Sequence, residues 1–416
     1  LSRPKLAPEL ALLGLAFLPR LAYLLIFKPP FETTYWALAG SVVHARSLAI
    51  DGVKVTDFEP LYPIVLAACR ALVGDRVFIV QLFQAMVASV GAVFLYRLSL
   101  ELAGSARAAW IGAALFSFHP LLVRQAAAAG DLALVTTLMV IFARSFVSIR
   151  SVRGAAMTGV WLGLAALTRV MVLPVGVLGG AIWWRQRRPA AACACLATTA
   201  ALVFPFLLRN HIVNGSWLPT RNGINLYIAN SPYTADLLPT YDLDLLMEPA
   251  YDAFARERPE ISTSSREYPA AVDVFLRRRA IEYMIESPAR TFGQKISNIM
   301  YFLSPRLVPY DVAAVDTRVI IAPSGTVTVD NSAPRPRAEV WAYGVATSFV
   351  LVTAAAGIFI RRHVLRDDAI LWAIVATFVL VNAVYVPASR YTAPMLFALL
   401  FYSGVALSSP PRTRAR

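Results

Sequence analysis

Residues 154–188, GAAMTGVWLGLAALTRVMVLPVGVLGGAIWWRQRR, decide how the rest of the chain is read. From Gly154 to Trp184 the only charge is Arg169, and the stretch ends in the cluster Arg185, Arg187 and Arg188. An apolar run of that length is too long for one buried helix of a soluble domain. It divides into two membrane spans, roughly 154 to 168 and 171 to 184, with Arg169 in the turn between them. Short loops rich in Lys and Arg stay cytoplasmic, so the cluster at 185–188 is inside and Arg169, one span away, is outside.

The same pattern extends in both directions. The chain is 58% hydrophobic and 15% charged, with a mean hydropathy of +0.59. Windows of about 19 residues give further spans at roughly 10 to 27, 77 to 96, 107 to 123, 131 to 148, 190 to 208, 340 to 360, 369 to 388 and 391 to 408. About ten helices are therefore expected, an all-α polytopic membrane bundle. The first apolar run is followed by Pro19 and Arg20 without a small-residue cleavage pattern, so it reads as a retained anchor.

With both termini cytoplasmic, the inside segments carry Arg3 and Lys5, Arg97 and Arg107, Arg144 to Arg153, Arg185 to Arg188, Arg361 to Arg366 and Arg412 to Arg416. The short outside turns hold Arg124, Arg169 and Arg390. The net charge of +14 is mostly this topology signal, which removes the case for nucleic-acid binding. Cys193 and Cys195 fall on different faces of a helix, and His44, His119, His211 and His363 show no ligand spacing. Neither a disulfide framework nor a metal site is expected, and no glycine-rich loop points to a nucleotide cofactor.

Three regions follow: a transmembrane bundle over 1–209 with an outside loop at 28–76, an extracytoplasmic α-rich segment over 210–339, and closing transmembrane helices over 340–416. In the first loop Tyr35, Trp36, Leu38, Ala39, Val42 and Val43 have the spacing of an interfacial helix, whose aromatic pair suits the bilayer surface. In the second region an amphipathic pattern runs from 270 to 303 with a break at Pro288, and 325–331 reads as a strand or hairpin arm. Arg277 to Arg279 reads as a solvated face.

Few residues could do chemistry. Glu32 lies just outside the first span, where an ionised carboxylate can act as a general base; the same position at the start of a helix favours Glu through the dipole alone, and spacing weighs the two equally. Asp51, Asp57 and Glu59 are rivals in the same loop, and Asp131 opens the fourth span. Arg169, Arg209 and Arg390 end spans on the outside, at the depth of a lipid phosphate, which guanidinium forks fit.

Short signatures then carry a resemblance. Glu32 with Tyr35 and Leu38-Ala39, Glu59-Pro60-Leu61-Tyr62-Pro63, Gly130-Asp131, Leu167-Thr168-Arg169, Leu208-Arg209-Asn210, Asn222-Gly223, Asn230-Ser231-Pro232 and Ser389-Arg390-Tyr391 occur in this order. The chain resembles bacterial GT-C fold membrane glycosyltransferases, related to protein O-mannosyltransferases and to the aminoarabinose transferases of lipid A. The resemblance implies transfer of a sugar from a polyprenyl-phosphate donor to a glycan, lipid or protein acceptor, at an extracytoplasmic site in a bacterial inner (plasma) membrane. It implies Glu32 as base and Arg169, Arg209 and Arg390 as the phosphate clamp, with Asp57, Glu59, Tyr62, Asp131, Asn210 and Tyr391 as further site residues. Many relatives carry Asp where this chain has Glu32, and a longer arm shifts the carboxyl by about a bond length, which leaves Asp57 and Glu59 as alternatives. Two other classes share the arginines: a flippase or carrier for a lipid-linked or anionic solute, which predicts repeated halves that the sequence does not display, and a surface-polysaccharide polymerase or ligase.

Overall fold

Where the sequence is apolar over a span length, it is helical. The computed structural model describes residues 6–29, 33–50, 52–128, 130–322 and 324–408; Glu32 and Asp51 lie outside these. Five helices among the described residues are long and apolar enough to cross a membrane: Pro8–Phe27, Val77–Ala103, Pro189–Asn214, Arg337–Arg361 and Ser389–Ser408. The expected span at 107–123 is a bent pair, Ala106–Phe118 and Pro120–Ala127, meeting at 54° where Pro120 cannot continue the first helix. Leu132–Ser148, Val152–Thr168, Val170–Arg185 and Ala369–Val384 are shorter apolar helices. The 17 residues of Val152–Thr168 rise only about 25 Å, less than the hydrocarbon thickness of about 30 Å. Every expected span is helical, and the whole is an integral membrane protein.

Local chemistry sets the helix ends. Ser105 and Ser151 accept from the N–H groups of Ala108 and Gly154 at 3.2 Å and cap two starts. Gly104 and Gly215, at φ 64° and 84°, take the left-handed closing position that a side chain disfavours. The last helix, Ala393–Ser408, is threaded through the bundle: Gly357 lies against the Tyr402 carbonyl and Gly404 against that of Ala108, so a Cβ at either would overlap backbone. Small residues at such crossings let helices pack without hydrocarbon between them.

One end of the bundle carries the two long connections, and we call it the loop end. There, helices Thr33–Ala45 and Leu61–Val73 flank a two-residue hairpin, Ala49–Ile50 with Val53–Lys54. Tyr35 departs from the expected lipid-facing position: it is 8% exposed, edge-on to Phe58 at 5.3 Å and Tyr62 at 4.9 Å, because the loop 55–60 folds over it. Trp36 lies under the Arg70 guanidinium at 4.6 Å.

The second connection has its own apolar core of Ile224, Ile228, Leu237, Leu246, Phe254, Val272 and Leu276, which continues into Val386 and Ala388 of the bundle. The pattern at 270–303 is two helices, Tyr268–Glu286 and Pro288–Phe302, broken at Pro288 as expected. The expected strand is Val327–Pro334, and it pairs antiparallel with Asp311–Ile321, a partner that the sequence reading had not marked. Helix Pro189–Asn214 runs through residue 209 without a break.

Candidate functional site

Three helices begin at one level of the loop end, and each start carries a charged side chain. Leu132–Ser148 follows Asp131, Leu173–Arg185 follows the tight turn Val170–Val172 after Arg169, and Ala393–Ser408 follows the turn Ser389–Thr392 that contains Arg390. The apolar run 154–184 is thus two helices, and the interruption is what aims Arg169 inward.

Arg169 grips Asp131 with two parallel hydrogen bonds, Nε to Oδ2 at 2.6 Å and Nη2 to Oδ1 at 3.1 Å. Two guanidiniums approach the Tyr391 ring, that of Arg169 at 4.8 Å and that of Arg390 at 5.0 Å from its centre. Arg390 donates to Asp242 at 3.2 Å and lies 3.5 Å from Asp244. Arg221 covers Phe58 at 5.2 Å. The Glu59 carboxylate accepts from the Val170 N–H at 2.9 Å, tying the 55–60 loop to the helix break. Tyr62 is held through its hydroxyl by Gln84 at 2.6 Å.

Sequence-predicted residues therefore converge: Glu59, Asp131, Arg169, Arg390 and Tyr391 form one cluster, with Tyr35 and Tyr62 as its floor. Arg209 is engaged differently. Its Nη1 donates to Val55 O at 2.5 Å and its Nη2 to Leu48 O at 3.1 Å, so it pins the small hairpin, with the Asn210 amide oxygen accepting at 3.0 Å. Arg124 is paired with Glu339. Asp242, Asp244 and Arg221 were not singled out from sequence. The acidic pair in Tyr241-Asp242-Leu243-Asp244 was the available signal, in a region without helical periodicity.

Electrostatics give the cluster its character. Arg169, Arg209, Arg221 and Arg390 face Asp57, Glu59, Asp131, Asp242 and Asp244. Burial pushes the Asp57 carboxyl above the usual carboxylate range, against the pull of Arg221 and Arg209. Burial likewise raises Glu59, opposed by the Val170 N–H and Arg169. Asp244 is raised by burial and then by the negative charge of Asp242. These three carboxyls take up protons more readily than exposed ones, which turns a cluster of four guanidiniums and five carboxyls toward positive charge and lets an incoming anion replace a carboxylate as an arginine's partner. Among the described residues no group of three or more His, Cys, Asp or Glu is placed to hold a metal ion.

The chain is a polytopic helical bundle with the GT-C fold, a likeness carried by solved structures. No protein-family model matches the chain, and it matches no curated protein. Among solved structures it is similar to the oligosaccharyltransferase of Archaeoglobus fulgidus, with a TM-score of 0.54 and 15% identity in the apo form and 0.53 and 12% with a tethered acceptor peptide. Both matches cover 97% of this chain and 50% of that one, so the chain spans half the length of the archaeal enzyme. ArnT from Cupriavidus metallidurans bound to undecaprenyl phosphate aligns more loosely, with a TM-score of 0.43 and 14% identity over 97% of this chain and 78% of that one. At these identities the likeness to the archaeal structures establishes the fold alone.

Proposed function

We propose that the chain is a glycosyltransferase that moves a sugar from a polyprenyl-phosphate donor to an acceptor at the loop end, which faces the extracytoplasmic side. The observation that carries this reading is the pair of guanidiniums within 5.0 Å of the Tyr391 ring, held in place by carboxylates and set at the starts of helices. Arg169 and Arg390 would take the donor phosphate, with Arg221 nearby, while Arg209 would steady the hairpin over them. In the transfer, an acceptor hydroxyl oxygen attacks the anomeric carbon as a loop carboxylate takes its proton. The bond from that carbon to the phosphate oxygen breaks, and its electron pair stays on the phosphate under the arginines.

For the base we keep Glu32, three residues before Tyr35 in the sequence, with Asp57 as its rival. Phosphate leaves without a proton, so a second acid is not required. Purified chain supplied with labelled polyprenyl-phosphate sugars tests the reading. We expect donor to be consumed, Glu32→Gln to lower turnover about 100-fold or more with donor affinity kept, and Arg390→Ala to raise the Michaelis constant for donor first. A Glu32→Gln variant with full turnover, beside an inactive Asp57→Asn, reassigns the base. A chain that binds donor without consuming it is a carrier, and the transferase reading falls.

A further inference from the structure

The second connection holds a hollow that the arginine cluster does not use. It lies among the helices Asn222–Ile228, Met247–Glu257 and Tyr268–Glu286 and has a volume of about 290 Å³. Its walls bring together the phenol rings of Tyr227, Tyr233 and Tyr283 and the ring of Phe275, with Glu257 and Glu286 at the edges.

The charges in this wall are mostly cancelled. Arg279 donates from one nitrogen to both oxygens of Glu257, at 2.5 and 2.6 Å, and Arg278 holds Glu282 at 2.7 Å. Glu286 is exposed and has no ion pair among the described residues. One free carboxylate beside several aromatic rings gives an anion no anchor and a polycation little attraction. It does suit a sugar ring, whose C–H face packs on an aromatic side chain while its hydroxyls donate to a carboxylate and to phenol oxygens. Burial raises the Tyr227 hydroxyl above its ordinary pKa of 10.0, which keeps it a neutral donor and acceptor. The volume falls at the small end of ligand pockets, about 300 to 1,000 Å³, which fits the end of a glycan better than a folded protein surface.

The hollow is also tied to the arginine cluster. Helix Asn222–Ile228 starts beside Arg221, which covers Phe58, and carries Tyr227 near its far end. Six residues of helix rise about 9 Å, so the hollow and the cluster are separated by roughly two sugar units along one rigid element.

We propose that this hollow binds a neutral saccharide, the end of a glycan acceptor that reaches the arginine cluster about two units further along. The acceptor role rests on the transferase reading, whereas saccharide binding stands on the hollow alone. The test is saturation-transfer NMR on the full chain in sugar-free amine-oxide micelles, without donor. N-acetylglucosamine oligomers, mannotriose and maltotriose are the probes, with choline and spermine as cationic controls. At least one saccharide should take up saturation, and Glu286→Gln should weaken it about tenfold, the value of one hydrogen bond to a charged group. Tyr233→Ala should weaken it further, checked for an unchanged size-exclusion profile, while Arg169→Gln should leave it unaltered. No transfer to any saccharide, equal transfer in wild type and Glu286→Gln, or a preference for choline or spermine overturns the proposal. If saccharides bind but donor is never consumed, the transferase reading fails while the saccharide site stands.

Discussion

Replacing Asp131 by Asn and Arg169 by Gln, singly and together, measures the contact on which the site's geometry depends. The two groups share hydrogen bonds of 2.6 and 3.1 Å, which puts the charge centres about 4 Å apart. At an effective dielectric constant of about 20, that separation is worth about 4 kcal/mol of attraction. Solvent reduces it, because the Arg169 side chain is 23% exposed although that of Asp131 is only 5% exposed. Each single variant strands a partly buried charge and should cost about 3 kcal/mol, whereas the double variant strands none. With the double variant costing about 3 kcal/mol, no more than either single, the coupling energy of the cycle should be about 3 kcal/mol. Reversible unfolding of the purified chain in mixed micelles, followed by helical circular dichroism against the mole fraction of SDS, gives the free energies. A coupling below about 0.5 kcal/mol would show that the two side chains act independently, and the reading that Asp131 holds Arg169 in place would be lost.

Two further outcomes are expected. Since burial raises the Glu59 carboxyl above its ordinary 4.5, the folded chain holds that proton more tightly than the unfolded chain. Its contribution is full below 4.5 and is lost as pH rises through the folded value, so Glu59→Gln should gain stability relative to wild type as pH rises above 4.5. Unfolding midpoints across that range check the sign, and a wild type that gains relative to the variant contradicts it. Gly357→Ala places a Cβ on the Tyr402 carbonyl and should destabilise by about 1 to 3 kcal/mol in the same unfolding assay. Gly14→Ala, with open space around its Cβ, should be near neutral, and equal effects at the two positions would remove the close-packing account of the last helix.

The membrane map was legible because hydropathy is a local property. Arg169 could be placed in a turn from the apolar runs on either side of it, and the structure adds the turn Val170–Val172 there. Its partner could not be read the same way: Asp131 is 38 residues earlier, and nothing in either run encodes which helices become neighbours. Arg209 shows the same limit, since its level in the membrane was readable but its attachment to Leu48 and Val55 depends on how a distant hairpin folds back. Asp242 and Asp244 lie where the chain has neither apolar periodicity nor a familiar signature, and only the docking of that segment brings them to Arg390. The strand Asp311–Ile321 escaped notice because its alternation is interrupted by a register shift between Ala313 and Arg318.

The common level at which Leu132–Ser148, Leu173–Arg185 and Ala393–Ser408 begin has a consequence that no side chain alone supplies. Each helix presents the positive end of its macrodipole, equivalent to about half an elementary charge, toward the same small volume. The main chain thus creates a standing electropositive field there, independent of protonation and beyond the reach of point mutation. Substitution of one guanidinium weakens the preference for anions in that volume without erasing it.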